Sequence, residues 1–68
     1  MRAYRFLTGD DSAAFCHKVT QALARGWELH GPPVYAFDGA NGGMRCGQAV
    51  VKDVPGTDYS PDLKLGDL

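Results

Sequence analysis

The sequence lacks most of what a chemically active chain displays. Among its 68 residues are only two cysteines and two histidines. Cys16, His17, His30 and Cys46 have the right chemistry for a metal, but they show neither the C-x-x-C nor the H-x₃-H spacing that makes such sites specific. No metal and no cofactor is predicted. A small secreted protein of this length normally relies on four or more cysteines. The opening run MRAYRFLTGDD also has no apolar core of a leader and no cleavage signal. The expectation is a reduced, cytoplasmic protein, in which a Cys16–Cys46 disulfide would be out of place. No stretch approaches the roughly 18 apolar residues of a membrane span. Charge is balanced too: 7 Lys+Arg stand against 8 Asp+Glu, a net −1. That is too little positive field for nucleic acid to be a natural partner.

What is present reads as an ordinary globular domain, 44% hydrophobic and 22% charged. A chain this short buries only about 60% of the surface it exposes when unfolded. Its own core supplies roughly 3–5 kcal/mol at most. Such domains usually lean on a disulfide, a metal or another subunit. With the first two disfavoured, the size alone points toward self-association.

Along the chain, residues 2–8 alternate as a strand, with Tyr4 and Phe6 on one face and Ala3, Arg5 and Leu7 on the other. Asp10, Asp11 and Ser12 are all good N-caps, and acids suit the positive end of a helix. Phe15, Val19, Ala22 and Leu23 then form one apolar stripe of a helix ending near Arg25, with Gly26 as its stop signal. Trp27–His30 is a short extended lead, broken by Gly31-Pro32-Pro33. Residues 34–38 and 44–54 read as two strands joined by the turn-forming run GANGG. The last strand carries Val50-Val51, apolar on both faces, which suits a central position.

These elements predict an α+β domain over residues 1–54: β-α-β-β, with a three-stranded mixed sheet in order 2-3-1. One amphipathic helix covers one face. Residues 55–68 form an extended C-terminal tail, expected to dock on the domain. The second sheet face stays open, with Tyr35 and Phe37 among its expected residues. Such a patch marks an interface, and a symmetric dimer is the commonest closed oligomer.

Each candidate for chemistry has a plainer reading. Cys16 and His17 resemble a nucleophile and its base, but adjacent helical residues point about 100° apart; no catalytic residue is predicted. Asp10 and Asp11 resemble paired acids, but capping explains them. GANGG lacks the ending and the helix of a phosphate loop. Arg5 and Arg45 would form a small basic strip if their strands were neighbours, more simply a solvated face. Trp27 reads as a core anchor between helix and sheet, or as an interface contact. Gln48 is polar among apolar neighbours; if buried it must be hydrogen-bonded, for example across a dimer axis. Trp27, Tyr35, Phe37, Cys46 and Gln48 are therefore the candidate ligand or interface residues.

The run YRFLTGDDSAAFCHKVTQALARGWELHG, followed by CGQAVVKDV and DYSPDLKL, resembles a family of small bacterial proteins, domain of unknown function 1737. The resemblance spans residues 4–65. Its most specific parts are Phe15-Cys16-His17, Gly26-Trp27-Glu28-Leu29, the segment from Cys46 to Lys52, and Asp58-Tyr59-Ser60-Pro61-Asp62. It implies that the tail belongs to the domain, and it brings no activity to any residue. The expected function is a non-enzymatic, homo-oligomeric interaction module, a homodimer by preference. The alternative is a small-molecule binding protein with its pocket at the sheet–tail or dimer seam, lined by Trp27, Tyr35, Phe37 and Cys46. An enzyme built on either cysteine ranks below both.

Overall fold

A computed structural model describes residues 1–68. In chain order the elements are β1 (Arg2–Asp10), α1 (Ala13–Ala24), β2 (Glu28–Leu29), β3 (Val34–Asp38), β4 (Gly43–Asp53) and a final 3₁₀ turn at Leu65–Asp67. The class is α+β, one helix on a four-stranded sheet. No helix is long and apolar enough to cross a membrane.

The expected three-stranded mixed sheet needs correction. Every ladder is antiparallel, and a fourth strand, β2, is present. The 11-residue β4 lies in the middle. β1 pairs with it along its whole length, from Arg2 opposite Asp53 to Asp10 opposite Arg45. β2 and β3 occupy the other edge in succession, at Val50–Val51 and at Gly43–Gly47. They form one edge strand interrupted at Gly31-Pro32-Pro33. Two prolines lack the N–H a ladder needs, so the break falls where the sequence forbids pairing. The His30 N–H still reaches the Ala49 carbonyl at 2.9 Å and holds the upstream rim of the break.

The helix stops by a Schellman arrangement. Gly26, at φ +94°, donates to the Leu23 carbonyl, and Trp27 donates to the Ala22 carbonyl. Ala22 and Trp27 then meet in the core, with Ala3, Leu7 and Val50. Trp27 is only 1% exposed. Phe15 and Val19 pack at the margin of this cluster, whereas Leu23 is exposed. The expected stripe is thus narrower than its sequence pattern. Gly9 sits within β1 beside the Phe15 ring, 3.2 Å from where a Cβ would be. A larger residue there would push the helix off the strand.

The final residues lie on the helix side of the sheet. Leu65 and Leu68 pack against the core cluster. Arg25 donates to the Gly66 carbonyl at 2.9 Å, and Lys52 Nζ donates to main-chain oxygens of Arg25 and Leu68. Arg5 and Lys52 stand over the Trp27 ring at 5.2 and 6.0 Å from its centre, within cation–π range.

Candidate functional site

Register decides what each face presents, because directly opposed residues of an antiparallel pair share a face. Toward the helix point Ala3, Arg5, Leu7 and Gly9, with Lys52, Val50, Gln48 and Cys46 opposite them. Away from it point Arg2, Tyr4, Phe6, Thr8 and Asp10, opposite Asp53, Val51, Ala49, Gly47 and Arg45. Val34 and Ala36 of β3 join this second face through Gly47 and Arg45. The uncovered face therefore carries Tyr4, Phe6 and Val34 as large apolar side chains, about half exposed at 53%, 50% and 51%. The tip of the Phe6 ring reaches over Gly47, where a built Cβ would come within 2.5 Å of Phe6 Cζ. Glycine at this position gives the ring its bed. Salt bridges bound the face at its two ends: Arg2–Asp53 at 3.2 Å and Arg45–Asp10 at 2.7 Å.

Tyr35 and Phe37 are not on this face. They oppose Cys46 and Met44, so they point to the helix side, beyond the start of the helix. The Tyr35 hydroxyl donates to Asp11 Oδ2 at 2.7 Å. Donating that proton to a carboxylate holds the phenol above its ordinary range. Asp10 and Asp11 accordingly do not cap the helix. Asp10 continues β1 and pairs with Arg45, Asp11 accepts from Tyr35, and Ser12 is the N-cap without a side-chain bond. Arg5 and Arg45 form no basic strip, since they lie on opposite faces, one over Trp27 and one against Asp10.

Gln48 is buried at 6% exposure, facing the helix. Its amide donates to the Gly31 carbonyl at 3.2 Å and the Ala49 carbonyl at 3.0 Å. Its partners are thus within the chain, where it bridges the proline break in the edge strand. Trp27 is a core residue, and its indole N–H is buried without an acceptor. Cys46 is half-buried beside Asp11, and both burial and that negative charge push its thiol above the usual range. Cys16 is exposed on the helix. Both cysteines are free thiols.

The candidate residues therefore do not converge on one pocket. Trp27 lies under the tail, Gln48 at the strand break, and Tyr35, Phe37 and Cys46 toward the hairpin. Three shallow concavities exist. A polar notch of about 530 Å³ is lined by Asp10, Asp11, Asn41, Gly43, Met44 and Arg45. A groove of about 300 Å³ runs between the helix and β2, past Phe15, Val19 and Leu29. A smaller dip of about 190 Å³ lies on the uncovered face beside Phe6, Val34 and Ala36. The sequence pattern had marked Tyr4 and Phe6 as sharing a face; their place on the open one follows from which residues the helix covers.

A family profile described as domain of unknown function (DUF1737) matches residues 1–53. The chain belongs to this family. The match ends at Asp53, the last residue of β4, so what defines the DUF1737 family here is the sheet and its helix. The match does not extend to the tail segment Asp58–Asp62, which was expected to carry the resemblance as well. No curated protein and no solved structure matches the chain.

Proposed function

We propose that this protein is a non-enzymatic interaction module that works as a homo-oligomer, a dimer in its simplest form. The observation that carries the reading is the sheet face away from the helix, where Tyr4, Phe6 and Val34 stay half exposed while the helix and the final residues Leu65 and Leu68 occupy the opposite side. A small domain with few fully buried residues gains most by covering that face with more protein. The arrangement of the other groups agrees with a binding role. Near the hairpin, Tyr35 is engaged with Asp11 and Arg45 with Asp10.

The small-ligand alternative has less support, because Trp27 is sealed in the core, apart from Tyr35, Phe37 and Cys46 toward the hairpin. Size exclusion with light scattering tests the main reading. A dimer mass at micromolar concentration is expected; a monomer up to the solubility limit overturns it. Tryptophan emission is a poor reporter for the alternative, since Trp27 is sealed in the core. Chemical-shift changes at Phe15, Val19 and Leu29 would register a ligand in the groove.

A further inference from the structure

The two edges of the sheet differ. The β2–β3 edge is interrupted by prolines, whereas β1 offers nine consecutive residues without one. Which β1 groups are free follows from the ladder. Met1 and Val54 exchange both main-chain bonds, at 2.7 and 2.8 Å, and at the far end the Asp11 N–H donates to the Met44 carbonyl. Antiparallel alternation carries this pattern to Ala3, Arg5, Leu7 and Gly9. The N–H and C=O groups of Arg2, Tyr4, Phe6, Thr8 and Asp10 therefore point away from the sheet. Of these, only the Thr8 carbonyl has a partner, Lys18 Nζ at 2.7 Å. An unpaired strand edge of this kind is a template for another strand.

We infer that β1 pairs antiparallel with β1 of a second copy, about a two-fold axis at Phe6, so that two sheets join into one. The inference rests on the self-association reading and names its contact, which flanks Tyr4 and Phe6 on the β1 side of the open face and leaves Val34, on β3 across the sheet, uncovered. Hydrogen bonding requires outward residues to oppose outward residues, which leaves few registers. Centring on Arg5 would set it against the partner's Arg5. Centring on Leu7 would set Tyr4 against the partner's Asp10 and leave Arg2 without a strand residue opposite. Centring on Phe6 sets Arg2 against the partner's Asp10, Tyr4 against the partner's Thr8, and Phe6 against the partner's Phe6.

Only that last register is charge-complementary. Arg2 already pairs with Asp53, and Asp10 with Arg45, on the same face. Joining the edges extends each pair into a row of alternating sign: Asp53, Arg2, the partner's Asp10, the partner's Arg45. Between the two charged rows, the Phe6 patches of both copies merge into one apolar strip. Lys18 is no obstacle, because the Thr8 carbonyl has a second lone pair for the partner's N–H.

Two measurements on the full chain test this. In the wild-type protein, amide exchange at Tyr4, Phe6 and Thr8 should slow as concentration drives dimer formation and recover on dilution. Arg2→Asp and Asp10→Arg each create like-charge pairs and should weaken self-association about tenfold or more. An equimolar mixture of the two restores opposite charges at both ends and should recover the dimer mass. Circular dichroism checks that each variant is folded. If a charge variant is not, Thr8→Pro removes an outward N–H without touching the internal ladder, and should give a folded monomer. A dimer whose outward amides exchange freely, or whose association is unmoved by these changes, overturns this contact and leaves self-association standing. A monomer at every concentration overturns both.

Discussion

Replacing Trp27 by alanine should unfold this domain in water. Trp27 touches the helix through Ala22, the sheet through Val50, and two cationic stems from Arg5 and Lys52. Truncating a buried aromatic to alanine costs about 3–5 kcal/mol. The stability available to a domain this small is of the same order, roughly 3–5 kcal/mol. Trp27→Phe should behave very differently. It keeps a ring under the cations and also removes the indole N–H that has no acceptor. Leaving such a group buried costs about 1–3 kcal/mol, which offsets much of the lost ring volume. The phenylalanine variant is therefore expected within about 2 kcal/mol of wild type. Urea titrations followed by far-ultraviolet circular dichroism, at one fixed protein concentration, measure both. A cooperatively folded Trp27→Ala protein losing less than about 1 kcal/mol would refute the reasoning. So would a Trp27→Phe variant as unstable as the alanine one.

Four further outcomes follow from the same structure. Gly26→Ala forces a side chain into φ +94° and should cost about 1–2 kcal/mol in the same titration. Gly47→Ala lifts the exposed Phe6 ring off its bed rather than disturbing the core; stability should change by no more than about 1 kcal/mol, while light scattering shows weaker self-association. Cys16 should label with a maleimide well before Cys46 at neutral pH, since Cys46 is half-buried and burial, then Asp11, raise its thiol pKa and reduce its thiolate; mass spectrometry of the digested product reads the order. The Asp38 carboxyl accepts from Asn41 and from the Ala40 N–H, and these bonds hold its pKa below the ordinary carboxylate range. A lowered folded-state pKa contributes stability above the unfolded value and loses it as pH falls through the folded one. The protection of the Ala40 amide, its slowing relative to the intrinsic exchange rate, should thus fall away as pH drops through that lowered pKa, which hydrogen exchange followed by NMR reads.

Much of the fold was legible because local chemistry agreed with the tertiary outcome. The Phe15–Leu23 periodicity and the Gly26 stop located the helix, and the apolar pair Val50-Val51 marked the central strand. What could not be read was register. In Val34-Tyr35-Ala36-Phe37 both alternating sets are apolar, so the pattern alone cannot say which set faces the helix. The hairpin decides it by setting Phe37 opposite Met44. The same limit hid the roles of Asp10 and Asp11. Their composition suits a cap, but β1 runs on to Asp10, and partners 24 and 35 residues away claim the two carboxylates. The extended lead Trp27–His30 was legible but its pairing was not, because two residues make no period; the pairing comes from β4, which offers an edge just where Glu28 and Leu29 leave the helix cap. Gln48 was recognisable as an outlier, but its partner, the Gly31 carbonyl, is a product of the proline break.

That break has a consequence for how far any assembly can grow. A flat sheet with two usable borders adds copies without end and becomes a fibre. Here one border is broken at Pro32 and Pro33, where Gln48 spans the gap, so it offers an incoming strand only the five residues of β3 against the nine of β1. Strand addition then favours β1, and two copies meeting through it would use up each other's longer border. In such an assembly the prolines would act as a terminator, biasing strand addition toward one border.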